Sequence, residues 1–170
     1  MTPKPVKTNA MRMLTQAGIS FETREYEVDE ADLTGIHVAT QLGMDLKQVF
    51  KTLVGHGDRT GYLVCCIPVA QTVDLKLLAA ISDNKRVELI PVKDLLAVTG
   101  YIRGGCSPIG MKKKFPTFLD QSAVDLKQIA VSAGVRGCQI ILAPSDLMGM
   151  TQARLCQVTQ TQQDGELPHE

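Results

Sequence analysis

"VFKTLVGHGDRTGYLVCCIPV", residues 49–69, is the stretch whose reading decides the fold. Two runs of strand formers, 49–54 and 62–69, flank "GHGDRTG", a segment with three glycines, and that pattern predicts a β-hairpin. Both faces of the first strand are mostly apolar. One residue conflicts with that environment. Alternation puts Lys51 on the face of Val49 and Leu53, with Phe50, Thr52 and Val54 on the other, and a buried ammonium is costly unless something pairs with it. Either Lys51 sits on an edge strand and snorkels to water, a device against edge-to-edge pairing, or its charge enters a pocket, where it binds an anion such as phosphate or polarises a carbonyl.

Upstream, Val6, Ala10, Met13, Leu14 and Ala17 recur at helical spacing, with Gly18 as the stop. "SFETREYEV", 20–28, reads as a strand with Tyr26 near its end, and residues 35–42 read as a helix capped by Asp32 or Thr34 and ended by Gly43. Downstream, Asp74 caps a helix over 75–81, "KRVELI" is a strand, and Pro91 opens a helix that ends near Gly100. "FPTFLD", "QIAVSAG", "CQIILA" and "ARLCQV" are short strands, with "PSDLMGM" a short helix between the last two. Short strands joined by tight turns and interrupted by helices predict an α+β fold. Its sheet would be mixed and largely antiparallel, curled or closed into a barrel, with short helices at its flanks.

Composition bounds the function. The 170 residues are 44% hydrophobic and 21% charged, proportions that suit one globular domain, expected over 1–158, with a polar, flexible tail over 159–170. Eighteen basic and eighteen acidic side chains cancel, so an RNA partner would be held by a local patch, and no DNA partner is expected. No apolar run approaches the ~20 residues of a membrane span, and no basic-then-apolar leader is present. The five cysteines, at 65, 66, 106, 138 and 156, show no CxxC spacing, and Cys65 and Cys66 on one strand would point to opposite faces. That predicts no zinc site, no metal and a reducing cytoplasm. His37 and His56 stand alone without triad-like neighbours.

A second unusual segment is "TGYIRGGCSPIG", 99–110, with glycines at 100, 104, 105 and 110 beside Ser107 and Pro108. It lacks the spacing of a P-loop and of the dinucleotide fingerprint. Two readings stand: a long turn stiffened by Pro108, or a glycine-walled slot whose amides donate to a developing oxyanion. Arg103, Lys112, Lys113 and Lys114 add four cations and no acid, which suits a solvated loop or contact with a phosphate backbone.

"VFKTL", "TGYIRGGCSPIGMKK" and "VSAGVRG", in this order and spacing, resemble the YbaK family of bacterial Cys-tRNA(Pro) deacylases, relatives of the editing domain inserted in prolyl-tRNA synthetase. The resemblance covers nearly the whole chain to about Val158. It implies a stand-alone trans-editing factor without metal or organic cofactor. Such a factor would take the acceptor end of aminoacyl-tRNA(Pro) as partner and work in the cytoplasm beside prolyl-tRNA synthetase. The family's functional lysine falls on Lys51, its GxxxP loop on Gly104, Gly105, Cys106, Ser107 and Pro108, its pocket tyrosines on Tyr26 and Tyr101, and its pocket serine on Ser132. Thr52, beside the lysine, is expected to contact substrate. A family aspartate falls on Gln139, so a neutral amide replaces a carboxylate. Cys106 is read as a small pocket or packing residue rather than a nucleophile.

The implied chemistry needs few protein groups. The thiol of a cysteinyl ester attacks its own carbonyl and expels the 3′ oxygen of the terminal adenosine, with Gly104 and Gly105 amides on the oxyanion and Lys51 on the adenosine end. Arg103 and Lys112–Lys114 would hold the acceptor stem. Two alternatives are a water-dependent hydrolase for another misacylated amino acid, such as alanine on tRNA(Pro), and a non-catalytic module that binds tRNA or the synthetase.

Overall fold

The computed structural model describes residues 7–160. In chain order these form α1 (Asn9–Gln16), β1 (Glu22–Glu25), α2 (Gly35–Leu42), β2 (Phe50–Gly57), β3 (Gly61–Pro68), α3 (Leu75–Ile81) and β4 (Val87–Leu89). Then come α4 (Val92–Thr99), β5 (Thr117–Asp120), a 3-10 turn (Gln121–Asp125), β6 (Ile129–Ser132), β7 (Cys138–Leu142), α5 (Pro144–Thr151) and β8 (Arg154–Cys156).

The helices are set by their caps. The Thr8 hydroxyl accepts the Met11 amide and starts α1, which buries Ala10, Met11 and Leu14; the expected helical position Val6 lies outside the described residues. Thr34 caps α2 through the His37 amide, and Gly43, at φ 66°, ends it in the left-handed conformation that glycine adopts without strain. Asp32 supports this cap from behind by accepting the Thr34 hydroxyl at 2.7 Å. Asp74 receives two amides at the start of α3, and Pro91 precedes α4.

The strands divide into two sheets. One has order β1-β7-β6 and is antiparallel throughout; the other has order β4-β2-β3-β5-β8, with β3–β5 and β5–β8 parallel. They meet where Val49 pairs with Ala130, whose amide donates to the Gln48 carbonyl at 2.8 Å. Three buried clusters fill the space: a large one under α1 and α5, a second under α3, and a small one of Ala39, Val49, Val69, Ala130 and Ile141 at the join.

Three expectations shift. The hairpin turn is shorter than the seven-residue "GHGDRTG", because Gly55, His56 and Gly57 continue β2 and pair with Leu63, Tyr62 and Gly61. The reason is Asn84. Its side chain occupies the space a Cβ at Gly57 would need, and its Oδ1 accepts the amides of Arg59 and Thr60 and so closes the tight turn. The strand expected over 20–28 shrinks to the four exposed residues of β1, an edge strand paired only with β7. Thr159 pairs with Val73 and the Gln160 amide donates to the Thr72 carbonyl at 2.8 Å, so those two residues are bound to the body rather than part of a flexible tail. Residues 161–170 lie outside the described residues.

Candidate functional site

β2 is paired with β3 along its whole length, but β4 covers its other edge only from Gly55 to Gly57. Between that cover and the bridge of Val49 to Ala130 the edge is open, and there a cavity of about 450 Å³ is lined by every residue from Val49 to Val54. Because the Ile90 amide reaches the Val54 carbonyl, strand alternation directs the peptide groups of Val54, Thr52 and Phe50 toward this edge and those of Leu53 and Lys51 toward β3. The open edge thus offers the N–H and C=O of Thr52 to a ligand. Lys51, half-buried, lines the same wall. β2 lies between β4 and β3 and is not an edge strand of its sheet, although this stretch of its edge is not covered by β4.

The rest of the wall is apolar, with Val38, Val69, Leu89, Ile90, Val92 and Leu95 among its residues. The polar lining groups are Thr52, Thr72, Ser132, Gln139, Lys51 and Arg103, and among the described residues no carboxylate lines the cavity. Ser132 and Gln139 are cross-strand partners on β6 and β7 and therefore share a face of the smaller sheet. The Ser132 hydroxyl oxygen accepts the Gly134 amide at 3.2 Å. Gln139 is 5% exposed, and its Oε1 is buried without a hydrogen-bond partner among the described residues.

The glycine loop reaches the cavity through Arg103, Gly104 and Cys106. The Gly105 amide donates to the Ile102 carbonyl at 2.9 Å, closing a turn that Gly104, at φ 83°, allows. The expected oxyanion donor at Gly105 is therefore already engaged. Among the described residues the amides of Gly104 and Cys106 have no protein acceptor, and both residues line the cavity. Gly105 has a packing role instead: a Cβ there would stand 3.1 Å from backbone atoms of Val135 and Arg136.

Tyr101 and Tyr26, expected in the pocket, are absent from its lining. The Tyr101 hydroxyl donates to the Ile109 carbonyl at 2.6 Å, and its ring lies where a Cβ at Gly134 would fall, so it pins the loop to the β6–β7 turn. Burial, with Cys106 nearby, pushes the Tyr101 phenol up to about 12. Tyr26 follows β1, where its amide donates to the Gly137 carbonyl at 2.9 Å. Ser107 and Pro108 are buried behind the lining, and the Ser107 hydroxyl accepts the Ile109 amide. These positions act as loop architecture.

Burial drives the Cys106 thiol up to about 12, against a smaller opposing effect of the Thr99 hydroxyl. Burial thus keeps the Cys106 thiol neutral at ordinary pH. Lys112, Lys113 and Lys114 are exposed and lie outside the lining, with the Lys112 stem against Gly100. Arg136 was not singled out from the sequence. Its Nε donates to the Arg103 carbonyl at 2.8 Å, yet nothing in "GVRG" signals a partner 33 residues upstream.

A family model, that of the aminoacyl-tRNA editing domain, matches residues 33–150. A protein of Enterococcus faecalis (strain ATCC 700802 / V583), EbsC, named as a candidate Cys-tRNA(Pro)/Cys-tRNA(Cys) deacylase, is 49% identical over 153 residues, which span 90% of this chain and 93% of its own. Among solved structures, a candidate trans-editing enzyme for prolyl tRNA synthetase superposes with a TM-score of 0.78 at 18% identity, covering 92% of this chain and 100% of its own. A protein described only as hypothetical superposes at 0.80, also at 18% identity, over 88% of this chain and 97% of its own. At such identities the superpositions speak for the fold.

Proposed function

This chain belongs to the aminoacyl-tRNA editing domain family, and from that premise we propose that it is a trans-editing deacylase that removes cysteine mischarged on tRNA(Pro). One observation carries the reading. The EbsC protein, named for that substrate, aligns at 49% identity along almost the full length of both chains.

The cavity supports the reading. The aminoacyl ester of the terminal adenosine enters along the open edge of β2, between Lys51 and the loop at Gly104. The substrate thiol attacks the ester carbonyl; a C–S bond forms, the C–O bond to the ribose 3′ oxygen breaks, and the thiol proton passes to that oxygen. Cysteine leaves as its thiolactone and the tRNA leaves intact. Free amides at Gly104 and Cys106 stabilise the oxyanion, a contribution of about 3 kcal/mol per donor. Lys51 holds the anionic adenosine end, and the apolar wall excludes water that would compete with the thiol. The protein supplies no nucleophile, consistent with a Cys106 thiol held protonated. Arg103 at the rim and the exposed Lys112–Lys114 run meet the acceptor-stem phosphates, in the cytoplasm where charged tRNA and prolyl-tRNA synthetase are found.

The test presents purified protein with Cys-tRNA(Pro), Ser-tRNA(Pro) and Ala-tRNA(Pro). Rapid loss of the cysteinyl ester alone is expected. Equal loss of the seryl ester would remove the thiol-assisted step, and preference for the alanyl ester would make the enzyme a water-dependent hydrolase.

A further inference from the structure

Beyond the cavity, the face of β2 that carries Thr52 and Val54 continues to His56, about 13 Å along the strand from Thr52. His56 stands opposite Tyr62 on β3, and their rings meet edge to face with centroids 5.0 Å apart at 78°. The Tyr62 ring meets Phe115 in the same way, at 5.8 Å and 67°. Parallel pairing of Val64 with Thr117 sets Phe115 level with Tyr62, so the three rings form a row across the sheet. Phe115 is rooted against the large buried cluster, while His56 is exposed and Tyr62 keeps 38% of its surface in contact with water. No two of these rings lie face on face.

Cations frame the row. The exposed Lys112, Lys113 and Lys114 lead directly into Phe115, and Arg59 is exposed at the hairpin turn. Two acids lie nearby and both are engaged: Glu88, opposite His56 on β4, is paired with Arg86 at 2.6 Å, and Asp58 accepts the amides of Lys85 and Arg86. The helix α4 joins the row to the cavity. Its Val92 and Leu95 line the cavity, and at its other end the Thr99 carbonyl accepts the Lys112 amide at 3.0 Å. Along the way Val92 and Leu96 are 60% and 54% exposed. An apolar and cationic surface therefore runs from the cavity rim to the rings.

We infer that the row of His56, Tyr62 and Phe115 is a stacking platform for the unpaired nucleotides that precede the terminal adenosine, with the lysine run on their phosphates; the inference rests on the deacylase reading above. Unpaired bases present π faces that aromatic side chains take up with little regard to sequence, whereas a duplex spends those faces on its own stack. The ester in the cavity and the bases on the rings are then two points of one strand. The row selects for a single-stranded 3′ end, and the lysines add salt-sensitive affinity without selecting for it.

The test uses two uncharged RNAs, an acceptor-stem hairpin ending in unpaired CCA and the same hairpin with both cytidines made abasic. Affinities are measured for wild type and Tyr62→Leu across a salt series. Wild type should bind the intact end about tenfold more tightly than the abasic one. Tyr62→Leu should lose about that factor on the intact end and nothing on the abasic one, with the slope of log K against log salt unchanged because no cation has been removed. An equal loss on both RNAs means that Tyr62 acts through the fold and overturns the inference. No loss on either also overturns it and leaves the rings as sheet packing or a surface for another protein, and so does failure of wild type to bind the hairpin. Should Tyr62→Leu not fold, wild type still decides: 5-iodocytidine at the penultimate position should photo-cross-link to His56, Tyr62 or Phe115, and a cross-link mapped only elsewhere overturns the platform. Deacylation of Cys-tRNA(Pro) on the same preparation separates the two claims. Deacylation without discrimination against the abasic end removes the platform alone, and discrimination without deacylation removes the proposed reaction and leaves the platform standing.

Discussion

The Nε of Arg136 donates to the main-chain carbonyl of Arg103 at 2.8 Å and so ties the glycine loop to the turn between β6 and β7. This contact, with the close backbone approach at Gly105, sets where Gly104 and Cys106 stand relative to Lys51. Arg136→Ala should therefore lower kcat/KM for Cys-tRNA(Pro) by about tenfold while leaving the melting temperature nearly unchanged, since one exposed hydrogen bond contributes about 1 kcal/mol. Steady-state kinetics and calorimetry on the same protein check both halves.

Gly105→Ala should act through packing. The new methyl would press on the backbone of Val135 and Arg136, which cannot rotate away as a side chain can, at an expected loss of about 1–3 kcal/mol. Thermal unfolding reads the loss, and unchanged stability would mean the loop is free to shift.

Lys51→Ala should reduce deacylation by about two orders of magnitude, with Lys51→Arg intermediate, and circular dichroism should show the fold intact. Undiminished activity would remove Lys51 from the proposed site.

Replacing Lys112, Lys113 and Lys114 together by Ala should weaken tRNA binding and shallow its salt dependence. The slope of log K against log salt should drop by about 0.7–0.9 for each phosphate that is no longer neutralised. Filter binding across a salt series measures it. An unchanged slope would place the acceptor stem elsewhere.

Alkaline pH should destabilise the protein. Burial raises Cys66, Cys106 and Tyr101 to about 12, and Cys65 also rises. Their protonated native forms contribute stability in full below the unfolded thiol and phenol values of about 9 and 10, and this is lost as pH climbs through the folded values. Melting temperature should hold to about pH 8.5 and then fall, more gently in Cys106→Ala. A flat profile to pH 11 would contradict the burial of these groups.

The parts of this fold governed by neighbours in sequence were legible beforehand. Thr34 and Asp74 sit at helix starts, Gly43 and Gly100 at helix ends, and the β2–β3 hairpin lies where its residues predicted it, because each depends on a few adjacent positions. The parallel pairs β3–β5 and β5–β8 leave no local trace, since the segments they join are far apart in the chain. The same divide runs through the site. Lys51, Ser132 and Gln139 were found by motif and line the cavity; Tyr101 was found by the same motif but holds the loop, a role visible only from its hydroxyl bonded to Ile109. Arg136, which completes the site, was not singled out because its partner is a backbone carbonyl, a group every residue carries.

The wide sequence separation between Arg103 and its clasp also orders the birth of the protein. During synthesis the β2–β3 hairpin and α3 can settle early, but the glycine loop lacks its Arg136 clasp until β6, the turn at Arg136 and β7 have emerged from the ribosome. A nascent chain is therefore well on its way to a folded body before it owns a cavity. Prematurely terminated products that stop short of β7 would be born without a working pocket, unable to strip amino acids from tRNA.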